Sequence, residues 1–179
     1  FGPSAVDAAV AAGLDDVGEN YAQEAAAKLT EITTTPTVHF IGRLQRNKVR
    51  LLAPHVDVWQ TVDRPELATE IAKRAPGAKV MIQVDISDEE NKGGCGPDTT
   101  EDLVMHATDA GLEVIGLMGV ALLAEPQAAR PGFSVLRRLV DRLDLDECSM
   151  GMSADLEIAV DEGATMVRIG RDLFGERLG

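Results

Sequence analysis

The chain has 179 residues, 45% of them hydrophobic, enough to bury one sizeable core and pointing to a single domain over 1–179. An excess of 30 acidic over 17 basic side chains gives a formal charge of −13, which excludes broad attraction to nucleic acid or an anionic membrane, since both need clustered positive charge. Two cysteines, Cys95 and Cys148, stand far apart and outside metal-binding spacings, so a reducing cytoplasm is the expected compartment, with no disulfide, membrane span or signal peptide predicted.

The first residues read as a helix. Ser4 and Asp7 have capping-box spacing, Val6 and Val10 share a face, and Gly13 suits its end. Strand-like segments follow at 15–17, 38–41, 56–60, 80–84, 113–117, 147–149 and 166–169, each ahead of a helical pattern. The helices carry apolar residues at helical spacing: Tyr21, Ala25 and Leu29; Leu67 and Ile71; Leu103, Ala107 and Ala110; Phe133, Leu136, Val140 and Leu143. Pro65 suits a first helical turn, Thr99 with Asp102 forms a second capping-box pair, and Gly111 and Gly163 suit C-terminal caps. The stretches 88–97 and 123–131 read as polar loops, and the 143–148 connection is short enough to suggest missing residues.

Strands alternating with helices imply parallel pairing through crossover connections, which fits a doubly wound sheet or a barrel. The opening helix has no strand before it. A strand ahead of Phe1 would make eight strands and eight helices, so the expected architecture is an α/β (β/α)8 TIM barrel whose first strand precedes this sequence.

Two glycine-bearing strand exits near the C-terminus, Ser149-Met150-Gly151-Met152-Ser153 and Arg168-Ile169-Gly170-Arg171, lie one βα unit apart, where such barrels commonly bind phosphate. Ser153 is placed to cap the helix carrying Leu156, Ala159 and Val160, facing either water or a phosphate. Arg168 ends the last strand beside Gly170, whose missing side chain allows close ligand approach. Gly18-Glu19-Asn20-Tyr21 and His39-Phe40-Ile41-Gly42-Arg43 leave their strands similarly. Taken singly, His39, Met118, Met150 and Met152 read as packing, and Arg46, Lys48 and Arg50 as a solvated face. Dinucleotide, P-loop, zincin and calcium-loop motifs are missing, and Asp155 stands where a nucleophile elbow around Ser153 would need glycine.

Together with Gly116-Leu117-Met118 and the run to Gly175, these motifs resemble, in order and over the whole chain, the pyridoxal 5′-phosphate (PLP) homeostasis protein family, which has the alanine-racemase N-terminal barrel without a second domain. The resemblance implies bound PLP and a role in buffering and delivering it, without established turnover. It implies a Schiff-base lysine immediately before Phe1; Lys28, Lys48, Lys73, Lys79 and Lys92 do not match that position. Ser153, Gly151, Gly170 and Arg171 would hold the phosphate, Arg168 would face the pyridine nitrogen, Asn20 would lie near the ring, and His39 and Met152 would complete the cofactor-binding set. Arg43 and Arg171 depart from many relatives, which have histidine and a small hydroxyl residue there. A monomer touching PLP-dependent enzymes transiently is expected, against two alternatives: a racemase- or decarboxylase-like enzyme, or a barrel for another phosphorylated metabolite.

Overall fold

The structure is a computed structural model that describes residues 1–87, 93–121 and 126–175, with Arg171 described in its backbone only. Parts of both polar loops, 88–92 and 122–125, therefore lie outside the described residues. In chain order the elements are α1 (Pro3–Ala11), β1 (Asp16–Glu19), α2 (Ala22–Lys28), β2 (Thr37–Phe40), α3 (Val49–Leu52), β3 (Val58–Val62), α4 (Pro65–Arg74), β4 (Lys79–Val84), α5 (Thr100–Asp109), β5 (Glu113–Gly119), α6 (Arg130–Arg142), β6 (Glu147–Met152), α7 (Leu156–Asp161), β7 (Met166–Arg168) and α8 (Arg171–Phe174). The seven strands pair in parallel in sequence order, each boundary within about three residues of its expected position.

Side chains alternate between two environments, as the strand period of two requires. Val38, Phe40, Trp59, Val80, Ile82, Leu117, Cys148 and Met150 pack with Leu67, Ile71, Phe133 and Leu136 in the layer between strands and helices. On the other face Val58, Met81 and Met118 make a second, smaller cluster. His39, Gln60, Gln83 and Ser149 occupy alternating positions on that inner face and are all buried. Met118 and Met150 thus pack as the sequence suggested.

One contact demonstrates the curvature. Ser149 on β6 donates its hydroxyl to Gln60 on β3 at 2.7 Å. In a flat sheet three strand spacings, about 14 Å, would separate those strands. The Gln60 amide also lies 2.9 Å from the Met166 sulfur on β7. The sheet therefore curls upon itself into a TIM-type barrel, with the inner face as its interior; among the described residues no ladder joins β7 to β1.

Two local readings change. The cap of α1 is Gly2, with Pro3 opening the helix, so Ser4 and Asp7 form no capping box. Thr99 already has helical backbone angles, and its hydroxyl turns back to the Gly96 carbonyl at 3.1 Å. At the 143–148 connection Asp144 takes φ 52° and the Leu145 amide reaches the Val140 carbonyl at 3.1 Å, which leads the chain from α6 into β6. Pro65 at the start of α4 and the positive-φ glycines 13, 111 and 163 after α1, α5 and α7 are as expected.

Asp7 acts at a distance instead. Its carboxylate accepts the Thr33 and Thr34 amides at 3.0 and 3.1 Å and their hydroxyls at 2.9 and 2.7 Å. These bonds, the Thr34 hydroxyl first, hold its pKa below the ordinary carboxylate value. A depressed folded pKa means that the anion's contribution is present above the ordinary value and is lost as pH falls through the folded one. Asp7→Ala is expected to lower the amide-exchange protection of Thr33 and Thr34 relative to the intrinsic rate at the same pH, as is acidification below the ordinary carboxylate range; unchanged protection would show that the clamp carries nothing.

The two cysteines differ in reactivity. Cys148 is fully buried in the strand–helix layer, and burial pushes its pKa to about 11. Cys95 is half-buried and raised less. Since the thiolate is the reacting form, a thiol reagent near neutral pH is expected to label Cys95 slowly and Cys148 only on unfolding. Equal labelling rates in the native protein would contradict this burial.

Candidate functional site

The carboxyl ends of β1, β2, β6 and β7 contribute the sequence-predicted residues. At the first two, the chain crosses very tightly: a Cβ on Gly42 would stand 1.9 Å from the Asn20 carbonyl oxygen, so only glycine fits there. The Ile41 amide bonds the Glu19 carbonyl at 2.9 Å, and the Thr61 hydroxyl bonds that of Gly42 at 2.8 Å. These contacts fix the loop that presents Asn20, whose exposed side chain has no partner among the described residues. Arg43 is also exposed.

Arg168, the last residue of β7, turns inward. Its Nη1 donates to the Ser149 hydroxyl at 2.7 Å and its Nη2 to the Gly119 carbonyl at 2.8 Å. Burial lowers its pKa to about 10, partly offset by the attraction of Asp155. The side chain therefore remains a cation at neutral pH, and guanidinium donors remain for a ligand.

From Ser149 a polar chain continues through the interior. Ser149 bonds Gln60 Oε1 at 2.7 Å, Gln60 Nε2 lies 2.8 Å from His39 Nδ1, and His39 Nε2 lies 3.0 Å from Asp16 Oδ1. His39 is thus inside the barrel, linked to Arg168 through two side chains and anchored on the first residue of β1. Gln60, Ser149 and Asp16 were not among the predicted site residues. The available signal was a glutamine at an inner position of a strand whose neighbours are apolar.

The corner formed by β6 and β7 is open and rich in donors. The register pairs Met152 with Arg168, so the two exits leave side by side. Met152 and Ser153 are half-buried, and the Ser153 hydroxyl has no partner among the described residues. The backbone N–H groups of Ser153, Ala154 and Gly170 are likewise unbonded there. Ser153 does not cap α7, however. A turn intervenes, Asp155 takes the cap position, and its Oδ1 accepts the Met152 amide at 2.6 Å. Gly151 serves packing: with φ 92°, its Cβ would lie 2.4 Å from that of Ala159 on α7. Around Gly170 a Cβ would meet nothing within 4 Å, so that position is open rather than tight. The Arg171 side chain lies outside the described residues.

Among the described residues no group of three or more His, Cys, Asp or Glu side chains could hold a metal ion. No helix among them is long and apolar enough to cross a membrane.

Comparison with known proteins places this geometry in a family. The sequence model of the alanine racemase N-terminal domain matches residues 2–178. The pyridoxal phosphate homeostasis protein of Pseudomonas aeruginosa is 42% identical over 97% of this chain and 80% of its own length. That of Aquifex aeolicus is 42% identical over 92% of this chain and 78% of its own. Among solved structures, PipY of Synechococcus elongatus without PLP superposes with TM-score 0.91 at 34% identity, covering 98% of this chain and 88% of PipY. With PLP bound, PipY gives TM-score 0.85 at 31% identity over the same shares. A lysine decarboxylase of Selenomonas ruminantium, 19% identical with TM-score 0.73 over 96% of this chain and 54% of its own, shares the barrel alone.

Proposed function

Because this chain belongs to the pyridoxal phosphate homeostasis protein family, on the barrel of the alanine racemase N-terminal domain, we propose that it binds PLP at the carboxyl ends of its strands and buffers and delivers it in the cytoplasm. It does so as a monomer, without turnover of its own, through transient contacts with PLP-dependent enzymes. The observation that carries this reading is Arg168, a cation held at the strand ends with donors to spare, next to unbonded N–H groups and an unpartnered serine hydroxyl.

The residues fit the group. The phosphate would rest on the Ser153 hydroxyl and on the N–H groups of Ser153, Ala154 and Gly170, with Gly151 setting the turn and Met152 alongside. Arg168 would meet the pyridine nitrogen, Asn20 would flank the ring, and His39 would act from behind through Gln60. The lysine expected ahead of Phe1 would meet the aldehyde. PLP, when bound, supplies an amine-capturing aldehyde and an electron-accepting ring. A cation beside the ring nitrogen disfavours its protonation, since two positive charges would then adjoin, which weakens the ring as an electron sink. That polarity suits storage better than catalysis.

The test is absorbance titration with PLP, with pyridoxal, and with sugar and nucleotide phosphates, alongside amino-acid racemisation and decarboxylation assays. Selective PLP binding, and amino-acid turnover no faster than with free cofactor, is the expected result. Preference for another phosphorylated metabolite, or sustained turnover, would overturn it.

A further inference from the structure

We propose that Gln60 and His39, anchored on Asp16, are positioning residues that set the guanidinium of Arg168 from the opposite end of the barrel. The inference rests on the PLP-binding reading for the part that concerns the ligand; the polar chain itself is independent of it.

The chain has only one consistent direction. A guanidinium can only donate, so Ser149 accepts from Arg168 at 2.7 Å and must send its single hydrogen to Gln60 Oε1 at 2.7 Å. That fixes the amide: its NH2 faces His39 Nδ1 at 2.8 Å, which must therefore be the unprotonated nitrogen. The ring proton then sits on Nε2 and donates to the Asp16 carboxylate at 3.0 Å. A carboxylate can only accept, so both ends demand the same sense.

The reversed amide fails twice. Its NH2 would face Ser149, which already receives the Arg168 N–H and would have no acceptor left for its own hydrogen. Its carbonyl would call for a proton on Nδ1, leaving a lone pair on Nε2 opposite the Asp16 carboxylate.

The surroundings offer few ways out. Gln60 and Ser149 are essentially inaccessible and His39 is nearly so, while Val58, Met81 and Met118 provide no polar partner on the same inner face. The charged groups on the chain are Asp16 from β1 at one end and Arg168 from β7 at the other. Moving Arg168 therefore leaves the Ser149 lone pair without its donor, a cost that grows in a low-dielectric interior. Gln60 fixes Ser149, and Asp16 through His39 fixes Gln60.

The test combines nitrogen-resolved NMR of the histidine rings with PLP titration, on the unsubstituted protein, Gln60→Glu and Gln60→Met. In the unsubstituted protein the His39 ring is expected to carry its proton on Nε2 alone, and finding it on Nδ1 would overturn the chain without any variant. In Gln60→Glu the carboxylate accepts from both Ser149 and His39, so both ring nitrogens are expected to be protonated; a singly protonated ring would count against the chain. Gln60→Met leaves the Ser149 hydroxyl without its acceptor, so PLP affinity should fall about tenfold, with a shifted absorbance band for the bound cofactor. Gln60→Glu keeps that acceptor and should retain both affinity and band. A Gln60→Met protein that melts earlier but binds PLP with unchanged affinity and spectrum would make Gln60 purely structural and refute its positioning role. Failure of the unsubstituted protein to bind PLP would overturn the functional reading and the positioning role together, while the tautomer would still decide the chain.

Discussion

Lys28→Met is expected to lower the unfolding free energy by about 3–5 kcal/mol, the usual cost of leaving one member of a buried ion pair unpaired. Lys28 ends α2 with its ammonium 2.8 and 3.1 Å from the two carboxylate oxygens of Glu19, the last residue of β1. Glu24, one turn earlier on α2, adds a contact at 3.2 Å. The Lys28 and Glu19 side chains are only 8% and 6% exposed, whereas Glu24 is 39% exposed, so water can rescue Glu24 but not Glu19. For a chain of this length the melting temperature should drop by roughly 10 °C. Trp59, the single tryptophan and fully buried, reports the transition by fluorescence. The double variant Glu19→Leu/Lys28→Met removes both charges and should recover most of the loss, because the desolvation cost disappears with the pair. A single variant as stable as the parent would mean that the pair is solvated and contributes nothing.

The difference between what sequence could and could not reveal is physical. Strands such as Val80, Met81, Ile82, Gln83 and Val84 stand out because a barrel strand covered on its outer side by helices is rich in apolar residues and bounded by turns. Helix α6 stands out because Phe133, Leu136 and Val140 recur on one face, and all three are buried. Caps were less legible: Ser4, Thr99 and Ser153 have the right chemistry, but capping depends on backbone angles that tertiary contacts set. The interior polar chain was illegible for a different reason. Gln60 and Ser149 are 89 positions apart and meet only because the sheet closes, a juxtaposition with no local period. Lys28 and Glu19 match no helical spacing, since one lies on a helix and the other on a strand. Of the candidate site, Arg168 and Ser153 could be found because strand-end position and glycine neighbours are written in the sequence itself. His39 could be found as a residue, but not as part of a chain leading to Arg168.

Arg168→Gln should separate ligand binding from folding. Among the described residues the guanidinium has two acceptors, Ser149 and the Gly119 carbonyl, and its pKa falls to about 10 through burial. For a base whose folded pKa lies below its unfolded one, the cost to the fold is complete at neutral pH and is relieved only as pH rises through the folded value toward the unfolded one. Exchanging Arg168 for neutral glutamine removes that cost along with the two hydrogen bonds, so the melting temperature at neutral pH should change little. Ligand binding should change much more. Losing one charge-assisted hydrogen bond to the ring nitrogen corresponds to about 1.5–3 kcal/mol, or roughly tenfold to more than a hundredfold in the PLP dissociation constant. Without a cation beside it the ring nitrogen should also accept a proton more readily, shifting the absorbance of the bound cofactor and its dependence on pH. Pyridoxal, which lacks the phosphate but keeps the ring, should lose affinity by a similar factor, whereas Ser153→Ala should weaken PLP and leave pyridoxal nearly unaffected. An Arg168→Gln protein that folds, binds PLP as tightly as the parent and shows the same spectrum would place the cofactor ring elsewhere.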